Sequence, residues 1–271
     1  MSRAGGNLIK EGYLGPGATS GDFFLQTAFD EIPDTRTFIL GACNTNINTT
    51  EQTIWEQGGI YPYLIVSTEL FVTSTNVNDI DQVISVQGLR APQGPIEVSL
   101  LLTDGQTPVS AGNWFRIFSI RNFGLIAGGA GRDLVGSLYL AQAGAWTAGV
   151  PDTVSDIKGS ILFSTSLGRS PNIFNFPGFT PPIDTKALIT KISFAAPKGQ
   201  DINFSTLIRT NQEEIIAPFH DTNPFNLYQS VTTLNFHGLF VGEDWDIEIR
   251  AKTSAGTASV TVIIQGILVN Q

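Results

Sequence analysis

The 271-residue chain is 42% hydrophobic and only 14% charged, and 15 Lys+Arg against 24 Asp+Glu leave a net charge of -9; that sign repels phosphate backbones and supplies no basic stripe, which excludes nucleic acid as a partner. Two His and one Cys leave little equipment for acid–base, thiol or zinc chemistry, and Cys43 has no internal disulfide partner, so neither enzymatic activity nor a cofactor is expected. No run approaches about 18 continuous apolar residues and the N-terminal stretch has no apolar signal core, so neither a membrane nor a secretion route is expected.

Residues 1–36, rich in Gly and small polar residues, read as an extended N-terminal arm. Two readings of it stand: a frayed terminus, or an arm that orders against a neighbouring subunit with Tyr13, Phe23 and Phe24 as anchors. Residues 37–40, 54–55, 61–66, 69–74, 82–89, 97–102, 114–120 and 134–140 then read as strands. Turn residues at Gly58-Gly59, Pro92, Gly94-Pro95, Asp104-Gly105 and Gly128-Gly129 separate them. The 82–89 segment alternates so as to bury Val83-type positions and expose Gln and Ser. Residues 141–157 interrupt the pattern with small residues and a Pro, and read as a linker.

A second strand series runs through 161–163, 187–194, 201–209, 231–236, 244–250 and 259–269. The period of two is plainest over 244–250. There Trp245, Ile247 and Ile249 share the face that covers a core, while Asp244, Asp246, Glu248 and Arg250 share the other. No run of about 12 residues has helical periodicity, so helices should be short and few.

Several constellations invite a chemical reading. Asp244, Asp246 and Glu248 sit at alternate strand positions, about 6.5–7 Å apart, near the spacing of an inverting glycosidase pair; the same alternation describes the wet face of an antiparallel sheet. Asn76, Asn78, Asp79 and Asp81 could offer oxygens to calcium, but without EF-hand order, and such clusters also build turns. The run 124–131, GLIAGGAG, lacks the Lys-Ser/Thr ending of a phosphate loop. His220 and His237 have no Ser-elbow or Cys companion. The aromatic loop of Phe174, Phe176 and Phe179, set among Pro171, Pro177, Pro181 and Pro182, is the candidate contact for a partner or a glycan; packing over the mouth of a sandwich is its plainer explanation.

Two blocks carry a resemblance. The first is residues 48–63, with Thr53-Ile54-Trp55, Gly58-Gly59 and Tyr61, followed by 69–74 and 83–89; the second is 187–209 followed by 246–252. In that order they resemble virion structural proteins of tailed phages, especially those of cyanobacteria, whose pattern runs TTIW-x-x-GG-x-Y, then two strand phrases, then a closing D-I-x-I-R-A strand. The similarity covers about residues 44–270. The chain departs from it at Gly88-Leu89-Arg90, where the family has GLD, and over 181–188. The resemblance implies a particle component without catalytic residues.

The expectation is therefore an all-β protein: an arm (1–36), an antiparallel β-sandwich (37–140), a linker (141–157) and a jelly-roll-like β-sandwich (158–271). A charged share below the roughly 25% of soluble domains suits a surface that lies against other protein. The expected function is a capsid-associated minor or decoration protein of a phage particle, made in the host cytoplasm and located in the virion. Its expected partners are itself, as a homotrimer, and virion proteins such as the major capsid protein. The alternatives are a tail fibre or spike that binds host glycan through the aromatic loop, and a glycan-cleaving enzyme using Asp244 and Asp246.

Overall fold

The computed structural model describes residues 34–125, 134–163, 173–176, 178–196, 201–209, 214–216, 225–226, 231–243 and 245–270. The chain is all-β: among these residues the regular structure is antiparallel strand apart from one 3-10 turn, Val154–Asp156.

The strands form two sandwiches. In the first, a sheet ordered Ile157–Ile161, Leu138–Gln142, Thr68–Ser74, Val109–Trp114 faces a sheet ordered Ile173–Asn175, Arg116–Leu125, Ile80–Leu89, Ile96–Asp104. Alternate side chains from both, among them Leu70, Val72, Ile84, Trp114, Ile120 and Phe174, fill the space between them. In the second, a sheet ordered Thr35–Ile47, Ala258–Asn270, Thr185–Ala195, Val231–Val241 faces one ordered Gly178–Phe179, Asp246–Thr253, Asp201–Arg209, Glu214–Ile216. Its core includes Ile47, Phe194, Ile202, Ile249, Val262 and Ile264.

The sandwiches do not follow one another along the chain as the sequence suggests. Thr35–Ile47, expected to open the first sandwich, pairs instead with Ala258–Asn270, from Thr35 opposite Val269 to Ile47 opposite Ala258. Gln52–Thr53 pairs with Asp246–Thr253, again in the second sandwich. The chain leaves that sandwich after Thr53 and re-enters it at Gly178, so the first sandwich is an insertion within the second. The 141–157 stretch is not a bare linker. It holds a ribbon of Trp146–Thr147 with Val150–Pro151 and leads into Ile157–Ile161, which pairs with Leu138–Gln142. Strand formation is locally legible, but a strand's partner is chosen by which apolar faces can be buried together, at any separation.

Two local readings also shift. Residues 61–66 form no strand: Pro62 has no N–H to donate to a ladder, the Tyr63 amide donates to Tyr61 O at 3.1 Å, and the segment runs as a loop. Across 82–89 the phase is reversed. Ile84 and Val86 face the core at 0% exposure, whereas Val83, Ser85 and Gln87 share the outer face with Leu102, Leu100 and Val98.

Gly88 permits the close approach of Ile80–Leu89 to Arg116–Leu125; a Cβ there would lie 1.9 Å from Arg116 O. Backbone meets backbone at that point, so no rotamer relieves the clash. Gly88→Ala is expected to cost about 3 kcal/mol or more, read as a fall in the midpoint of thermal or urea unfolding; an unchanged midpoint would show that the two strands can separate freely.

Candidate functional site

From Asp246 to Ala251 the strand Asp246–Thr253 is buried on both faces. Ile247, Ile249 and Ala251 point into the core of the second sandwich at 0% exposure, as the alternation predicts, while Trp245, just outside the strand, stays 41% exposed and does not join them. The charged face is not wet: Asp246, Glu248 and Arg250 are only 2%, 1% and 8% exposed. What covers them is the first sandwich together with the loop after Thr53, so the row of charges lies in a seam between the two sandwiches.

The seam is built from paired charges. Arg116, at the start of Arg116–Leu125 in the first sandwich, grips Asp246 with both arms of its guanidinium, Nε to Oδ1 at 2.8 Å and Nη2 to Oδ2 at 2.7 Å. Its remaining Nη1 donates to Leu64 O at 2.7 Å and Phe115 O at 2.9 Å, and the guanidinium lies 3.9 Å over the Phe115 ring. The Thr180 hydroxyl also donates to Asp246. Glu248 accepts from the Thr53 hydroxyl, from Arg250 Nε at 2.8 Å and, at longer range, from Arg209 Nη2 at 3.5 Å. Arg250 reaches Glu51 at 3.7 Å, and Arg209 stacks 4.0 Å over Tyr63. Three carboxylates (Glu51, Asp246, Glu248) thus meet three guanidiniums (Arg116, Arg209, Arg250). Such charge-assisted, partly bidentate pairing is what makes buried charge tolerable. With both Asp246 oxygens held and the side chain buried, that carboxylate is not presented to a glycan. Asp244 lies outside the described residues.

Beside the charges the seam is aromatic. Phe174, Phe176 and Phe179, singled out from the sequence as partner or glycan contacts, are 1%, 2% and 3% exposed and lie inside the chain's own cores. Phe174 pairs with Ile120 and packs in the first sandwich. Phe176 lies 4.3 Å from Tyr61 between ring centroids, and Phe179 stacks 4.5 Å from Phe38 in the second. This short segment carries the chain from one core to the other, and burying its rings is what stabilises the crossing. Tyr61 is itself pinned, its hydroxyl donating to Lys158 O at 2.8 Å. Burial raises the pKa of both Tyr61 and Tyr63 well above the ordinary tyrosine value.

The other sequence candidates are placed as follows. Asp79 is 1% exposed, and its carboxylate accepts from the Ser74 hydroxyl and from the backbone amides of Val135 at 3.0 Å and Gly136 at 2.9 Å. It therefore ties its turn to the residues that lead into Leu138–Gln142. Asn76 accepts from the Asn78 amide at 2.9 Å, an Asx turn, and Asp81 takes a left-handed φ of 59°. His237 falls in Val231–Val241. His220, residues 126–131 of the Gly-rich run and the arm anchors Tyr13, Phe23 and Phe24 lie outside the described residues. Among the described residues no group of three or more His, Cys, Asp or Glu is placed to hold a metal, and no helix is long and apolar enough to cross a membrane.

One carboxylate that the sequence reading passed over stands apart. Burial pushes Glu56 up to about 7, against the smaller opposing effect of hydrogen bonds from the Leu162 backbone and the Ser160 hydroxyl. Its charge in turn adds to the burial that raises Cys43 and Tyr139. Lys158 moves the other way: burial lowers it to about 8 while its ammonium donates to Pro62 O at 2.8 Å and Ser155 O at 2.6 Å.

No protein-family model matches the chain, and no curated protein does. Among solved structures it is similar to a chain of the infectious bursal disease virus Gt strain at 10% identity, over 92% of this chain and 82% of that one, with a TM-score of 0.21. It is likewise similar to a subviral particle of that virus's VP2 at 9% identity, over 91% and 82%, with a TM-score of 0.20. At these TM-scores the backbones do not superpose as one fold.

Arg116→Met leaves Asp246 buried without its counter-charge and is expected to destabilise the chain by about 3–5 kcal/mol; the double variant Arg116→Met/Asp246→Leu should recover most of that loss in urea unfolding. Equal losses in the single and double variants would show that packing alone holds the seam. For Glu56 the folded-state value lies above the ordinary 4.5, so between pH 4.5 and 7 the folded chain keeps a proton that the unfolded chain releases, and stability falls as pH rises through that window. Unfolding at pH 5 and pH 8 should show Glu56→Gln gaining of order 1–3 kcal/mol on the wild type at the higher pH, and parallel pH dependences would refute the assignment.

Proposed function

We propose that the chain is a non-enzymatic structural component of a virus particle, a capsid-associated protein that assembles with copies of itself and with other virion proteins such as a major capsid protein. The observation that carries this reading is the contrast between inside and outside. The charges of Asp246, Glu248 and Arg250 are turned inward, joining the two sandwiches, while large apolar side chains stand outward: Ile65 is 92% exposed, Leu100 66%, Val66 65% and Phe123 63%. A chain with only 14% charged residues that exposes such side chains is suited to be covered by neighbours. The sequence resemblance to phage virion proteins favours the same reading and narrows it to a minor or decoration protein of a tailed phage, located in the virion. The glycan-binding alternative called for an exposed aromatic rim, and Phe174, Phe176 and Phe179 do not form one.

Removing residues 1–33 leaves the pairing of Thr35–Ile47 intact. The truncated chain is expected to fold with an unchanged circular dichroism spectrum and melting midpoint, yet to be missing from particles that the full chain enters, as read by immunoblot of gradient-purified particles. Full incorporation of the truncated chain would show that residues 1–33 do not attach it. A full-length chain that is absent from particles and monomeric in solution would overturn the structural reading itself.

A further inference from the structure

Building on the assembly reading, the geometry points to one self-contact. Ile96–Asp104 is the edge of its sheet, paired with Ile80–Leu89 on one side; on the other, among the described residues, only the Asp104–Thr107 bridge of its own turn is made. Its side chains divide by twos. Ser99 and Leu101 lie opposite Val86 and Ile84 on the core side, while Val98, Leu100 and Leu102 lie on the outer face at 57%, 66% and 38% exposure. Phe123, two positions beyond the Arg121 that pairs with Ser85, shares that outer face. Ile96, at the near end, packs against the second core. Edge strands of monomers are guarded by Lys, Pro or inward charge; Ile96–Asp104 has no Lys and no Pro, and its one core-side charge, Glu97, is paired within the chain to Arg90.

We propose that this edge pairs antiparallel with the same strand of a second copy, about a two-fold axis at Leu100. The charge pattern selects that occupant. A second chain of net charge -9 should be repelled, but this register sets Val98 against Leu102, Glu97 against Thr103 and Asp104 against Ile96, so no acidic residue faces another. Glu97 is already neutralised by Arg90, Nε to Oε2 at 2.7 Å. The 97–103 span, about 24 Å long at about 3.4 Å per residue, gives roughly six to eight main-chain hydrogen bonds. That falls within the roughly 5–15 direct bonds of a typical interface. Two four-stranded sheets become one of eight, with Val98, Leu100 and Leu102 of both copies side by side on its outer face. The contact is isologous, in place of the three-fold ring that the sequence alone suggested.

The test uses the full chain. In sedimentation the wild type is expected as a dimer and Leu100→Lys as a monomer with an unchanged circular dichroism spectrum, since position 100 is exposed in the single chain; its melting midpoint should match that of the wild type diluted until it dissociates. On a Cys43→Ser background, Leu100→Cys should oxidise to a covalent dimer, because residues on the axis face each other at Cα separations of about 4.5–5.5 Å. Val98→Cys alone should not, whereas a mixture of Val98→Cys and Leu102→Cys chains should. A wild-type oligomer whose mass survives Leu100→Lys, with Leu100→Cys uncrosslinked, overturns the edge contact and leaves the assembly reading standing. A wild type monomeric at about 100 µM yet present in particles does the same, and indicates a different partner strand on this edge. Monomeric and absent from particles, it overturns both.

Discussion

The relative placement of the two sandwiches depends on Arg116 holding Asp246. Arg116 begins the strand Arg116–Leu125 and Asp246 begins Asp246–Thr253, so one bidentate grip joins the starts of two strands in different sandwiches. A buried ion pair adds little net stability, because desolvating both charges offsets most of the attraction. Its contribution here is direction. The apolar part of the seam, where Phe118 lies 5.2 Å from Phe179, would tolerate small slides, whereas a planar guanidinium on a planar carboxylate admits one geometry. Around that contact the Leu64 carbonyl, the Thr180 hydroxyl and the Glu248–Arg250 pair fall into place.

How much of this was legible in the sequence depends on the range of the interaction. The period of two over residues 244–250 correctly sorted Ile247 and Ile249 from Asp246 and Glu248, because alternation is a property of the strand alone. It did not tell what covers each face: a charged row that faces water and one that faces another sandwich have the same period. The cover comes from Arg116, 130 positions away, and no local pattern reports it. The one local hint was that the row includes its own counter-charge in Arg250. The aromatic loop kept two readings, partner contact and packing, for the same reason. Rings among prolines look exposed until the Tyr61 and Phe38 side chains that bury them are known.

The strand phases show a related limit. In residues 82–89 both faces carry at least one β-branched residue, so hydrophobicity alone does not choose between Val83 and Ile84 as the inward position. The sandwich chooses, by setting Ile84 and Val86 against the opposing sheet. Val83 is left on a face shared with exposed leucines, and that face is the part of the surface least like that of an isolated soluble domain.

The insertion of one sandwich within the other also bears on synthesis. Thr35–Ile47 leaves the ribosome well before its partner Ala258–Asn270, which emerges roughly 200 residues later; at about 5–20 residues per second that is a wait of about 10–40 seconds. The inserted sandwich has all its strands between Thr68 and Asn175 and can close while the waiting strand is still unpaired. Nascent chains therefore pass through an interval in which one compact unit is complete and a thirteen-residue strand has no sheet to join, which is when a growing chain of this topology is most exposed to pairing with the wrong neighbour.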